Sequence, residues 1–131
     1  MRYLSLKDAG FFHGHLGPYL TLGYMAGRLA VSTLKPKDEL SMEAIVECPW
    51  KRPYTCFVDG VQCSTRCTLG KGNIKLRESE GLAVTFTVRG GGKLKIRVRH
   101  SILEKLDGYQ RMEDAVRWIL SMEPEEIFEL Y

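Results

Sequence analysis

The sequence predicts an α+β fold: one domain over residues 1–131, with an antiparallel sheet packed against a long N-terminal helix and C-terminal helices. Three observations predict it. A helical pattern comes first and the strand patterns follow as a block, a segregation that suits α+β architecture. The loop "RGGGK" joins two strand-like runs, which is a hairpin signal. In "KLKIRVR", Lys93, Lys95, Arg97 and Arg99 alternate with Leu94, Ile96 and Val98, so one face of that strand is wet and the other buried.

Each element has its own warrant. "LSLKDAG" reads as a short helix opened by Ser5 and stopped by Gly10. "HGHLGP" is too rich in glycine for regular structure. Pro18 to about Leu34 is helical, with proline suited to the first turn. Gly23, Ala26, Gly27 and Ala30 recur about one turn apart, so another backbone can approach closely; this fits a buried helix or a dimer seam. "EAIVEC" is a short buried strand, and the two prolines of "PWKRPY" then turn the chain. "TCFVDGVQCST" reads as a short helix that Gly60 weakens. "TLGKGN" is a loop, followed by the strands "IKLRE", "LAVTFTV" and "KLKIRVR". The helices "MEDAVRWILSM" and "PEEIFEL", the second led by Pro124, finish the chain.

Composition narrows the function. The chain has 131 residues, enough to bury a core without disulfide or metal. No apolar run is long enough to span a membrane, and "MRYLSLKDAG" lacks a signal-peptide core, so a cytoplasmic location with reduced thiols is expected. Four cysteines there are buried side chains, metal ligands or redox groups rather than a disulfide scaffold. Residues 66–100 hold nine Lys/Arg and two Glu, whereas residues 101–131 hold eight Asp/Glu and three Lys/Arg. The preferred reading is that these regions face each other, within one chain or across a dimer. The basic strand lacks interleaved aromatics, so nucleic acid is not expected as a partner; its lysines read as protection of an exposed or edge strand.

The candidate chemistry lies in two stretches, "FFHGHLGPYLTLGYMAG" and "CFVDGVQCSTRCTLGKGN". On one helix Cys56, Asp59, Cys63 and Cys67 fall in a narrow stripe; if the helix ends near Thr65, Cys67 sits in the loop instead. In irregular backbone His13 and His15 point to the same side and can converge, whereas on a helix they would diverge. Imidazole with thiolate is a donor set for zinc and related transition metals. It is also the pairing that activates a cysteine nucleophile. No CxxC occurs, so no standard zinc-finger spacing applies.

Together the two stretches resemble the family of the E subunit of formylmethanofuran dehydrogenase, in its core domain. The matching positions are Phe12, His13, Gly14, His15, Leu16 and Pro18, then Cys56, Asp59, Gln62, Thr65, Cys67, Thr68, Gly70, Lys71, Gly72 and Asn73. Three positions depart from the family pattern. Gly17 stands where the family has cysteine, Arg66 replaces a glycine, and Cys63 replaces an aliphatic residue. Arg66 beside Cys67 should favour the thiolate. Some relatives carry a cysteine-rich zinc-binding extension; the expectation here is the core domain alone. The resemblance implies an intertwined homodimer with a metal-capable groove. It also implies association with other formylmethanofuran dehydrogenase subunits, in which the main catalysis lies.

Three functional readings follow. In the first, a metal-binding accessory protein holds a transition metal, zinc foremost, or a small anionic ligand. His13, His15, Cys56 and Cys67 would be the metal ligands. Lys71, Asn73, Asp59 and Gln62 would bind the cofactor, with Asp59 and Gln62 also orienting the ligands. In the second, Cys67 is a catalytic thiol with His15 as its base. An interaction scaffold with a decayed site is the third and plainest possibility.

Overall fold

The structure is a computed structural model that describes residues 2–131. Helix α1 (Leu6–His13) is capped by Ser5, whose hydroxyl accepts from the Asp8 backbone N–H at 3.1 Å. It runs through Gly10, where the sequence placed its end, and stops at Gly14 (φ 112°). Helix α2 (Pro18–Leu34) spans the expected range with Pro18 in its first turn. Strand β1 (Met42–Cys48) leads to α3 (Cys56–Thr65). A single 3-10 turn at Leu69–Lys71 then precedes β2 (Ile74–Glu78). The hairpin β3 (Ala83–Val88) and β4 (Lys93–Val98) follows as the glycine loop predicts. The chain ends with α4 (His100–Asp107), α5 (Met112–Leu120), α6 (Pro124–Ile127) and β5 (Phe128–Leu130).

The fold is α+β, but the sheet is mixed rather than antiparallel. Its order is β2-β1-β3-β4-β5. β1 and β2 run parallel, with Ala44 beside Ile74 and Val46 beside Leu76, and the other pairs are antiparallel. The cause is α3: parallel neighbours need a crossover, and this helix supplies it between β1 and β2. Two further differences lie near the C-terminus. Residues 100–107 form a helix, and "PEEIFEL" is a four-residue helix turning into a strand that pairs with β4. β4 is therefore an interior strand, and its basic residues do not guard an edge.

One face of the sheet is dry. Met42, Ala44, Val46, Val84, Phe86, Leu94, Ile96 and Val98 point into a core shared with Leu22, Ala26, Phe57 and Val61 of α2 and α3. The other face carries charge, including Lys95 Nζ at 3.3 Å from Glu47 Oε1. The basic middle and acidic end do meet within one chain: Arg99 donates to the Glu125 carbonyl and lies 4.0 Å from the Glu129 carboxylate.

The small residues of α2 are consumed inside the chain. A side chain at Gly23 would overlap the Phe57 carbonyl, and one at Gly60 would overlap the Leu20 carbonyl. The two helices thus press backbone to backbone, and Gly60, read as a weakness in α3, is what permits the contact. This seam holds α3 against the N-terminal helices and so positions the site.

Candidate functional site

The site forms where α1 ends against the first turn of α3. Gly14 adopts a left-handed conformation that closes α1 and reverses the chain after His13. The reversal brings the His15 ring to 4.8 Å from the His13 ring, centroid to centroid, tilted by 53°. The two histidines converge as expected, but by a different route: His13 is the last helical residue rather than part of an irregular segment.

His13 Nδ1 lies 2.6 Å from Asp59 Oδ2. An ionised carboxylate only accepts, so Nδ1 carries the proton and donates. In the neutral ring, Nε2 is then a bare lone pair. That Nε2 is buried and has no hydrogen-bond partner, and the His13 side chain is only 11% exposed. Buried polar atoms are nearly always satisfied, so an orphan of this kind calls for a partner. Gln62 steadies the carboxylate: its Nε2 donates to Asp59 Oδ1 at 3.3 Å, while its Oε1 accepts from the Leu69 N–H at 3.0 Å.

Gly17 adjoins the pair. A Cβ placed there would lie 3.4 Å from His15 Nε2 and 3.6 Å from the Met112 sulfur. A cysteine Cβ at that position would therefore sit against the His15 ring. Met112 has no signature in the sequence that would have placed it here; only the packing of α5 does so.

The cysteines are distributed differently from the expected stripe. Cys56 is half-buried in the first turn of α3, and burial, then the nearby Asp59 charge, pushes its thiol up. Cys63 is buried, and its thiol is raised to about 11 by burial and then by Asp59. Cys67 lies past the far end of α3 with no exposed surface, its Sγ 3.3 Å from the Met42 carbonyl. Burial raises the Cys67 thiol, although Thr65 and Lys71 lower it in part. This reverses the expectation that Arg66 would favour a thiolate. Arg66 instead caps α3 in a left-handed conformation and turns its guanidinium to the Arg2 carbonyl. The structure does not bring Cys67 to the histidines.

Asn73 is committed to structure. Its Oδ1 accepts from Thr68 N–H at 2.9 Å, and its Nδ2 donates to the Glu39 and Met42 carbonyls. Lys71 is exposed, with Nζ 2.7 Å from Thr68 Oγ1. Among the described residues, no group of three or more His, Cys, Asp or Glu side chains is gathered so as to hold a metal ion. The His13 and His15 rings are neighbours carrying imidazole nitrogens, and no further donors are assembled around them among the described residues.

A family model described as "FmdE, Molybdenum formylmethanofuran dehydrogenase operon" matches residues 12–129. The chain belongs to the FmdE family. The match covers the first motif stretch from Phe12, the whole of the second, and every strand residue but Leu130, in agreement with the sequence resemblance. A curated relative, a probable S-adenosyl-L-methionine-binding protein of Archaeoglobus fulgidus, is 35% identical over 75 residues, 53% of this chain. The alignment spans only 19% of that relative's length. A solved structure from Syntrophus aciditrophicus, of a protein like the E subunit (FmdE) of a tungsten formylmethanofuran dehydrogenase, is also similar. It has a TM-score of 0.61 and 24% identity, covering 100% of this chain and 76% of the other. At that identity the likeness speaks for the fold. Among the described residues no helix of this FmdE-family chain is long and apolar enough to cross a membrane.

Proposed function

We propose that this FmdE-family chain is a metal-binding accessory protein whose centre is His13 and His15. The observation that carries the reading is the orphaned, buried Nε2 of His13, with Nδ1 held by Asp59 at 2.6 Å. Metal-ligating histidines commonly donate their second ring N–H to a carboxylate, which fixes the tautomer and aims the free lone pair at the ion. Imidazole donors suit zinc and neighbouring transition metals, with zinc the first expectation. Bound there, zinc would supply a Lewis-acid centre with open positions.

This chain's residues would orient and shield the ion. Asp59 and Gln62 hold His13, while Gly17 leaves a side open where the family pattern has a thiol. Cys56, half-buried in the same turn as Asp59, is the sulfur donor best placed to contribute. Cys67, enclosed in the core, does not support the rival reading of a thiol enzyme. The orphan nitrogen likewise favours a working site over a decayed scaffold. The family supports association with formylmethanofuran dehydrogenase, in which the main chemistry would belong to other subunits. A homodimer is part of the proposal, supported by Phe11, 89% exposed at the end of α1, and by Leu16 at 40% beside it.

Elemental analysis and Co(II) titration of untagged protein test the metal reading. Wild type should bind Co(II) stoichiometrically, His13→Ala should bind far less, and Cys56→Ser should lose any thiolate charge-transfer absorption. If wild type takes up no zinc, nickel, iron or cobalt, the metal reading falls.

A further inference from the structure

A second site opens beside the histidine pair. Three hydrogen bonds lay the N-terminal segment across α2 and α3: Leu4 N–H to the Cys63 carbonyl at 3.2 Å, Tyr24 Oη of α2 to the Leu4 carbonyl at 2.8 Å, and Arg66 Nη1 to the Arg2 carbonyl at 3.4 Å. Between this segment and the Thr68–Lys71 turn lies a groove of about 740 Å³. Its size falls within the usual range for small-molecule pockets.

The lining has two characters. Arg2, Arg66 and Lys71 contribute three cations, and no Asp or Glu lines the groove. None of the three forms an ion pair among the described residues; the ion pairs of the structure lie elsewhere. Like charges gathered without counter-ions repel one another, and an oxyanion relieves that repulsion while accepting their N–H groups. The other character is apolar. Phe12 is 61% exposed and Leu69 76% exposed, on surfaces that flank the cations. A flat ring placed there would cover apolar area and gain a face for the guanidinium groups.

We infer that this groove binds a small aromatic oxyanion, a planar ring system bearing a phosphate or carboxylate. The ring lies against Phe12 and Leu69, and the oxyanion is held by Arg2, Arg66 and Lys71. Gln62 lines the groove and donates to Asp59, so one side chain links the groove to the partner of His13. The inference stands apart from the metal reading, because every contact it uses is present without a metal.

Calorimetric titration of chelator-treated wild-type protein with 1-naphthyl phosphate tests it, with inorganic phosphate and 1-naphthalenemethanol as controls. The expected result is saturable binding of 1-naphthyl phosphate, with both controls weaker by about tenfold or more. Arg66→Gln combined with Lys71→Gln should weaken it by a similar factor. Phe12→Ala should weaken it while leaving inorganic phosphate unchanged. All three side chains are exposed, so these variants keep the core. Equal affinity for 1-naphthalenemethanol would overturn the role of the cations, and equal affinity for inorganic phosphate that of the aromatic wall. Absence of saturable binding would overturn the inference, including the case in which sedimentation shows a dimer with a second copy filling the groove. Because metal is removed throughout, the zinc titration can fail without touching this result, and the reverse also holds.

Discussion

Replacing Gly60 by alanine asks whether the seam that positions the site is as tight as the geometry says. The new Cβ would overlap the Leu20 carbonyl oxygen and stand 2.6 Å from the Tyr24 backbone nitrogen and 3.0 Å from the Gly23 carbonyl carbon. All three atoms are backbone of α2, so no side chain can swing away and the helices must separate. Overpacking of this kind costs up to about 3 kcal/mol. Alanine returns about 1 kcal/mol in helix propensity, leaving a net loss near 2 kcal/mol. With an unfolding entropy of about 2.1 cal/mol/K per residue, a chain of 131 residues should melt about 7 °C lower. Thermal unfolding followed by far-UV circular dichroism measures this. Gly70→Ala is the control, since nothing lies within 4 Å of a Cβ there. If Gly60→Ala melts with the control or above it, α2 and α3 are not in backbone contact and the placement of Asp59 against His13 loses its foundation.

Other outcomes follow from the same geometry. Alkylation of native protein by iodoacetamide, mapped by mass spectrometry, should modify half-buried Cys56 first, with Cys48, Cys63 and Cys67 protected until unfolding; Cys67 reacting first would restore the thiol-enzyme reading. All four thiols are raised in the fold. The folded chain therefore keeps protons that the unfolded chain releases from about pH 8.5. Stability should be level with respect to these groups below that pH and decline above it, toward about 11 for Cys63; a urea midpoint rising between pH 8 and 10 would contradict the raised thiols. Asp59→Asn should lower Co(II) affinity by about ten- to a hundredfold with little change in melting temperature, since the Asp59 side chain is 35% exposed. Gly17→Cys should tighten zinc binding, because its Cβ would lie 3.4 Å from His15 Nε2; unchanged affinity would show that the open side faces away from the ion.

Much of the fold was legible because periodicity is a local signal. The α2 range and the alternation of β4 need no knowledge of the rest of the chain. Strand direction is not local: the pattern of "IKLRE" is the same whether it pairs parallel or antiparallel, and only the crossover through α3 decides. β5 was hidden for a related reason, because its three residues are a strand only where β4 offers an open edge at Val98 and Ile96. α4 starts at His100 directly after β4 with no side-chain cap to announce it. At the site, spacing identified the histidine pair and the acid on α3 but not the side to which the α3 stripe turns. A stripe of cysteines at helical spacing reads alike whether it faces solvent or core. Here α3 packs against α1 and α2, which buries Cys63 and leaves Cys56 and Asp59 at the rim, while Cys67, past the helix end, is enclosed against Met42. The same packing encloses the Cys67 thiol expected to act and brings a carboxylate to His13 Nδ1. What remains at the centre is a histidine lone pair with no partner inside the chain, which is the reason to look for a metal there before looking for a nucleophile.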